Sequence, residues 1–490
     1  MSPSSCSCSK VLLRGGGGGG GCGGGGCGRV RPASFGGHYH QPSLSRRSLY
    51  RSLSRSVSRS VSSSLKVSRV VLASVSASAS AYETRGPESV PSTQRVPLTT
   101  GVLDDDHSAS SSSSTQPPLL KFYRDTNAWC PFCERVWLAL EAKQIPYECE
   151  FVDLRNKPKW FTDMVPTGLV PAARFNSDDA LVWESADILR ELEERFPDVK
   201  LTPDDEEATQ YMNEFIEKEV EAKDTLTAIG YRYLIGGAFG EERDPSKLPE
   251  LKEALDEAVE RAKPYFDHGF IAGNQVSLAD VMIAPAIERL AANLVTFRGY
   301  DLREKLSPWF DAMEELPAYG AVMGDPETHN TVVRQLFGLK KDEAHLPPPP
   351  QYIPVTPGGA EEAGQCLKNN LDAVVADAVK NSGVSEEDAD VVRVYLQTLA
   401  DSLNFSSFLD SDGVGSVRPM SPHPRPSMQE LKELDDEAAE AAVKLAARKR
   451  AVGAATIAFV RNRVSAPRDM SARAAVAFRA AADSFLTSIY

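Results

Sequence analysis

The chain has 490 residues, 42% of them hydrophobic, and carries 54 Lys or Arg against 68 Asp or Glu, a formal net charge of −14. This length allows about three domains. The acidic balance argues against nucleic acid or an anionic membrane as partner, and no uninterrupted apolar stretch is long enough to span a bilayer.

The first 82 residues differ sharply from the rest in composition. They contain no Asp or Glu but 11 Lys or Arg, many Ser and the glycine run Gly15–Gly21. A basic, Ser-rich and acid-poor N-terminus is typical of an organelle transit peptide. We expect this segment to target the protein to the chloroplast, with the mitochondrion as the alternative. A disordered Arg-Ser tail that binds an acidic partner is the competing interpretation.

The segment up to residue 200 contains the strand patterns. Residues 84–118 are rich in Ser, Thr and Pro and are predicted to be a linker, so that leader and linker together fill 1–118. Strand and helix patterns then alternate from 119 to 200. Strands are predicted at Leu119–Tyr123, Tyr147–Val152, Pro171–Phe175 and Ala180–Trp183, and helices at Glu134–Lys143, Pro158–Met164 and Glu184–Phe196. The order βαβαββα is that of a thioredoxin-like domain.

The segment that follows is predicted to be helical throughout. Residues 201–345 show amphipathic helices such as Leu251–Phe266 and no convincing strand. Ser277 and Asp280 have the spacing of a capping-box variant, and we interpret them as structural. A Pro-rich linker is predicted at 346–360, where Pro347–Pro350 break the chain.

An Ala-rich helical extension of unknown role is predicted at 361–490. Its longest helical pattern, Glu430–Val464, has acidic residues first and basic residues later, which complements the helix dipole. One face of this pattern is apolar, formed by Leu431, Leu434, Ala438, Ala441 and Leu445. We expect that face to be buried against the preceding domains, against itself in a dimer, or against a partner.

The tetrapeptide Cys130-Pro131-Phe132-Cys133 is the strongest chemical signal. It lies between a predicted strand and a predicted helix, so Cys130 stands at the helix start, where free N–H groups and the helix dipole favour a thiolate. Cys133 lies one turn further on and is placed to resolve a mixed disulfide. The pattern indicates a redox or thiol-transfer site. A zinc site is a weaker alternative, because the chain has no second CxxC or suitably spaced His pair. The other alternative is that the two cysteines are buried and chemically inert.

Four motifs in order carry a resemblance to a known family. They are Cys-Pro-Phe-Cys-Glu-Arg-Val at 130–136, Leu-Arg-Asn-Lys-Pro-Lys-Trp-Phe at 154–161, Gly-Leu-Val-Pro at 168–171 and Trp-Glu-Ser-Ala at 183–186. With these motifs, residues 119–340 resemble the cysteine-type glutathione transferases of the omega, lambda and dehydroascorbate reductase classes. The resemblance implies an α/β thioredoxin-like N-terminal domain at 119–200 and an all-α C-terminal domain at 201–345. The helical extension at 361–490 is additional to this pattern.

The same resemblance implies roles at matching positions. Cys130 is similar to the cysteine that forms a mixed disulfide with glutathione, and Phe132 to a residue lining its surroundings. Lys157 resembles the lysine near the glycine end of the tripeptide. Val170 precedes Pro171, a cis proline in these proteins, and its backbone is expected to pair with the cysteinyl moiety.

Glu184 and Ser185 resemble the pair that holds the ammonium and carboxylate of the γ-glutamyl group. The physical chemistry agrees, since a helix start suits a carboxylate and a glutamate suits an amine. An ordinary helix cap is the alternative for Ser185. Cys133 is a departure, because many omega and lambda members lack a second cysteine there, and its presence makes the site similar to a dithiol glutaredoxin.

The sequence and the resemblance together predict a glutathione-dependent thiol transferase or reductase that acts through a mixed disulfide on Cys130, in dehydroascorbate reduction or deglutathionylation. Glutathione is expected as co-substrate, beside a small oxidised or electrophilic molecule, with no metal, no nucleic acid and no membrane span. We expect a monomer or a homodimer. The alternative is a ligand-binding or carrier protein on the same scaffold without catalysis. The extension is expected to be largely dispensable for glutathione binding and for thiol transfer, since Lys157, Val170, Glu184 and Ser185 all lie outside it.

Overall fold

The computed structural model describes residues 117–237, 244–339, 349–403 and 421–489. The predicted leader and almost all of the linker that follows it lie outside these ranges. No helix within the described ranges is long and apolar enough to cross a membrane.

A mixed four-stranded sheet organises the N-terminal domain. Its strands are β1 (Leu120–Asp125), β2 (Tyr147–Val152), β3 (Ala172–Phe175) and β4 (Leu181–Trp183), in the spatial order β2-β1-β3-β4. β1 runs parallel to β2 and antiparallel to β3, so Phe122 faces Cys149 on one side and Ala173 on the other. Helices α1 (Pro131–Ala142), α2 (Lys159–Met164) and α3 (Ser185–Arg195) complete the predicted βαβαββα order, which is confirmed.

Helix α1 begins immediately after Cys130 because Pro131 occupies its first position, where a missing N–H costs nothing. Val136, Leu138 and Leu140 are fully buried, and the helix packs between the sheet domain and the helical domain. The start of α1 therefore lies at the junction of the two domains.

A helical domain follows the sheet, as predicted. It comprises α4 (Glu206–Phe215), a π-helical turn (Ile216–Glu221), α5 (Leu226–Ile235), α6 (Leu248–Ala262), α7 (Leu278–Arg298), α8 (Leu302–Lys305), α9 (Ser307–Glu315), α10 (Pro317–Val322) and α11 (Pro326–Phe337). The central α7 packs against α1, α5 and α11. Because neighbours cover most of its surface, α7 is buried nearly all round.

The predicted capping box at the start of α7 is present. The backbone N–H and the hydroxyl of Ser277 donate to Asp280 Oδ2 at 2.8 and 2.7 Å. Trp309 Nε1 and the N–H of Ile271 donate to Asp280 Oδ1 at 2.8 and 3.0 Å. Asp280 thus joins three segments of the core, which supports the structural interpretation of Ser277 and Asp280.

The extension forms a helical bundle of its own. Its helices are α12 (Pro357–Asn369), α13 (Leu371–Asn381), α14 (Ala389–Leu403), α15 (Met428–Lys432), α16 (Asp436–Arg463) and α17 (Ala472–Ile489). α17 packs on α12, α14 and α16. Gly453 allows α16 to approach α14, since a Cβ there would lie 2.2 Å from Cζ of Tyr395.

The predicted helix Glu430–Val464 is present as two helices, α15 and α16, with Leu434 in the break between them, and of the three ways to bury its apolar face, burial against the preceding domains is wrong. Leu434 and Leu445 are 43% and 52% exposed, and Ala441 is exposed as well. The half of α16 that is buried is instead the later one, Gly453–Val460, whose small residues permit close helix packing. Self-pairing or a partner for the exposed face stays a prediction.

A buried ion pair docks the extension on the helical domain. Arg479 of α17 lies 2.5 Å from Asp325, the residue that caps α11, and their side chains are 7% and 1% exposed. Burial raises the pKa of Asp325, but Arg479 and the hydrogen bonds from Thr328 outweigh this and hold that pKa below its ordinary value. The pair therefore contributes stability at neutral pH that is lost as the pH falls through the lowered pKa.

We predict that Arg479→Leu lowers the free energy of unfolding by about 3–5 kcal/mol, because it leaves the Asp325 carboxylate buried without its counter-charge. Arg448→Leu is the matched control. Arg448 also lies in the extension and pairs with Glu387 and Asp388, but its side chain is 51% exposed, so little change is expected. Urea unfolding of the full chain measures both variants. Equal, small losses would contradict a buried docking pair.

Candidate active site

Cys130 occupies the position expected of a nucleophile at a helix start. It has extended backbone angles, φ −70° and ψ 115°, and precedes the first residue of α1. Its carbonyl accepts the N–H of Glu134 at 3.1 Å, which closes the first turn of the helix. The side chain is partly exposed, so solvent and substrates reach it at the positive end of the helix dipole.

Cys133 is the buried partner of Cys130. It is 2% exposed, and both residues are free thiols. Burial raises the pKa of the Cys133 thiol well above its ordinary value, and a hydrogen bond with Cys130 acts in the same direction. Cys133 is therefore protonated at neutral pH, with its S–H in hydrogen-bond contact with Cys130.

Four of the predicted glutathione residues line one cleft beside this pair. The cleft holds about 310 Å³ of space, part of it open solvent, and its lining residues are Phe132, Thr167, Leu169, Val170, Pro171, Glu184 and Ser185. The structure thus brings together Phe132, Val170, Glu184 and Ser185 from α1, the loop before β3 and the start of α3. The two cysteines are not among the lining residues.

Lys157 lies at the rim instead of in the cleft. Its Nζ donates to the carbonyl of Gly168 at 2.8 Å, next to the lining residues Thr167 and Leu169. Leu169 belongs to the Gly-Leu-Val-Pro motif, but neither Leu169 nor Thr167 was a predicted site residue. The residue type of Thr167 gave no signal that it would line the cleft. Its position depends on the turn at Gly168, where φ is +60°.

The Val170–Pro171 peptide bond is cis, as the resemblance implies. Tyr123 and Ala172 form the last pair of the β1–β3 ladder on this side, so Val170 lies just before the start of strand β3. Its backbone borders the cleft, where an extended peptide can pair with it.

Glu184 and Ser185 form the far wall of the cleft. Glu184 has φ +77° and ψ +120°, a conformation that costs a non-glycine residue about 1–3 kcal/mol and is concentrated at binding sites. Ser185 begins the 11-residue helix α3 and is 7% exposed, while the Glu184 side chain is exposed. A helix start suits a carboxylate and the exposed Glu184 suits an ammonium group, so this wall fits the two charges of an amino acid terminus.

Two aromatic residues of the helical domain, Trp309 and Tyr233, belong to its core. Trp309 is fully buried against Asp280, and Tyr233 is also buried.

Among the described residues, no group of three or more His, Cys, Asp or Glu side chains has the arrangement of a metal site. The predicted absence of a metal stays a prediction.

Comparison with known proteins identifies the family. The model for the N-terminal domain of glutathione S-transferases matches residues 129–195, and the model for their C-terminal domain matches 219–315. Glutathione S-transferase omega-1 of Mus musculus is 31% identical over 209 residues, covering 41% of this chain and 80% of that protein.

Two further relatives come from plants and algae. The chloroplastic glutathione S-transferase DHAR3 of Arabidopsis thaliana is 31% identical over 177 residues, covering 36% of this chain and 61% of that protein. The crystal structure of Chlamydomonas reinhardtii dehydroascorbate reductase is 23% identical, with a TM-score of 0.36, and covers 45% of this chain and 98% of that one.

A thioredoxin-like domain followed by an all-helical one defines a transferase scaffold, with Cys130 at the start of its first helix. The chain belongs to the glutathione S-transferase family. The two family models leave residues 316–490 unmatched, which include the whole extension.

We predict that iodoacetamide at neutral pH alkylates Cys130 before Cys133 and Cys149. Burial raises the pKa values of the latter two thiols, so they stay protonated, and only the thiolate reacts. Peptide mass mapping over time measures the order. In urea the three should react at similar rates, which is the control. Modification of Cys133 first in the folded protein would contradict the assignment of the exposed nucleophile.

Proposed function

We propose that the protein is a glutathione-dependent thiol transferase or reductase whose nucleophile is Cys130. The observation that carries the proposal is the juxtaposition at the start of α1. A partly exposed cysteine with a buried, protonated thiol beside it adjoins a cleft lined by Phe132, Val170, Glu184 and Ser185. The family membership supports glutathione as the co-substrate.

The cleft offers complementary groups along the length of glutathione. Glu184 and the start of α3 at Ser185 take the ammonium and carboxylate of the γ-glutamyl group. The backbone of Val170, just before strand β3, pairs with the cysteinyl residue. Lys157, at the rim beside Gly168, attracts the carboxylate of the glycine end. This orientation directs the glutathione sulfur toward Cys130.

With a glutathionylated substrate, the reaction takes two thiol–disulfide exchanges. The Cys130 thiolate attacks the sulfur of glutathione, the substrate leaves as a thiolate, and a Cys130–glutathione disulfide forms. A second glutathione thiolate attacks the glutathione sulfur of that disulfide, which releases glutathione disulfide and restores the Cys130 thiolate. Cys133 remains a thiol throughout and is not consumed in the cycle.

Dehydroascorbate is the first named substrate that we propose. Two glutathione molecules give up two electrons and two protons, becoming glutathione disulfide, and dehydroascorbate gains them as ascorbate. The relative named glutathione S-transferase DHAR3, chloroplastic, supports this choice, and the same relative together with the basic leader supports a plastid location. Deglutathionylation of small molecules or proteins is the second activity.

We predict that Cys130→Ser lowers turnover of dehydroascorbate and of a mixed disulfide by roughly a hundredfold or more, because a hydroxyl with no general base is a poor nucleophile. Cys133→Ser should stay within about threefold of the wild type, since glutathione resolves the mixed disulfide. Cys366→Ser, in the extension, is the matched control and should have no effect.

Coupled assays of glutathione oxidation measure all three variants. Equal loss in the Cys130 and Cys133 variants would show a dithiol mechanism instead. A wild-type protein without turnover on either substrate, but with saturable glutathione binding, would favour the carrier alternative.

A further inference from the structure

The first half of helix α16 lies on the surface of the extension without burying a residue. No side chain in residues 436–450 is buried, whereas burial begins at Gly453. This exposed segment spans roughly 22 Å. Isolated helices of such a length are marginal in water, and helices in proteins depend mainly on the packing of an apolar face. Among the described residues, nothing supplies that packing to the exposed segment.

One stripe of the exposed segment is apolar. Ala438, Ala441 and Leu445 follow one another at intervals of three and four residues, the spacing of a coiled-coil seam. Leu434, in the break before α16, continues the stripe at its other end. We call these four residues the seam. Leu434 and Leu445 are 43% and 52% exposed, and Ala441 is also exposed.

The seam has the same order of side chains in both directions, with a leucine at each end and two alanines between them. A second seam can therefore lie antiparallel on the first. Leu445 of one copy then meets Leu434 of the other at both ends. In the middle, Ala438 of one copy meets Ala441 of the other, and these small side chains let the two helices approach closely.

The charges beside the seam have a matching order. Four acidic residues come first and four basic residues follow: Asp435, Asp436, Glu437 and Glu440, then Lys444, Arg448, Lys449 and Arg450. Antiparallel pairing places the acidic end of one copy against the basic end of the other. Parallel pairing would place like charges together, which is unfavourable.

One pair of flanking charges defines the contact between the copies. Glu437 and Lys444 are seven residues apart, so they lie on the same side of the seam. In the antiparallel arrangement, Glu437 of one copy faces Lys444 of the other, and the two-fold symmetry repeats this contact. Within the chain, Lys444 pairs with Glu440 at 2.5 Å, but both side chains are well exposed, so this ion pair contributes little and can be exchanged.

We propose that a second copy of this chain covers the seam, through an antiparallel pair of α16 helices. The order of the apolar side chains and the order of the charges are both self-complementary, which favours a second copy over a different partner. The seam is short, so we expect an association that depends on protein concentration. It contains no residue of the glutathione cleft, so this proposal does not depend on the proposed function.

Sedimentation velocity of the full-length chain, at increasing concentrations and with a thiol reductant, measures the association. The wild type should change from monomer to dimer as its concentration rises. Leu445→Ser should raise the dimer dissociation constant by about tenfold or more, because it removes an apolar contact at both ends of the seam. Val443→Ser is the matched control. Val443 is 43% exposed but lies on nearly the opposite side of α16 from Leu445, so the constant should not change.

Charge reversal tests the direction of pairing and the identity of the partner. Glu437→Lys and Lys444→Glu should each weaken the dimer by about tenfold or more, since each places like charges opposite one another at both contacts. An equimolar mixture of these two variants should recover the dimer, because every facing pair then has opposite signs. Glu361→Lys, at an exposed position near the start of α12, is the control and should have no effect.

Circular dichroism checks that each variant keeps its helix content. A wild type that stays monomeric at every concentration would overturn the proposal and leave the seam to a partner of another kind. A dimer that neither Leu445→Ser nor the charge variants weaken would overturn it by placing the interface elsewhere. Weakening by the single charge variants without recovery in their mixture would overturn the antiparallel pairing.

Discussion

One buried guanidinium fixes the start of helix α1, where the proposed nucleophile stands. Arg289 Nη2, in the central helix α7, lies 2.6 Å from Glu134 Oε2 and donates to the carbonyl of Trp129. Its Nη1 donates to the carbonyl of Pro285 at 2.8 Å. Arg289 thus holds residues on either side of Cys130 from the neighbouring domain. Burial raises the pKa of Glu134 to about 8, although the Arg289 guanidinium opposes that rise.

The contacts of Arg289 join the two domains at the proposed active site. The cleft in which we propose that glutathione binds consists wholly of residues of the thioredoxin-like domain, from the start of α1, the loop before β3 and the start of α3. In our account, glutathione recognition therefore belongs to the part of the chain that matches the family models.

The sequence predicted the elements and residues whose signals are local. The βαβαββα order, the capping box at Ser277 and Asp280, and the four cleft residues all follow from short motifs or from alternation over a few residues. Arg289 was not predicted, since its carbonyl partner at Trp129 lies 160 positions away and nothing local marks it. Burial of the apolar face of Glu430–Val464 within the chain was wrong for a related reason. Apolar periodicity identifies a helix, but Tyr395 and the small residues from Gly453 onward decide which half is covered.

The central claim is that Cys130 carries glutathione as a mixed disulfide in the glutathione cleft. Incubation of the folded, full-length protein with glutathione disulfide, followed by intact-mass analysis and peptide mapping without reductant, tests it most directly. The account predicts a single glutathionyl adduct on the peptide that contains Cys130, with the linkage at Cys130 and not at Cys133. An adduct confined to Cys149 or Cys366, or no adduct on the folded protein, would contradict it.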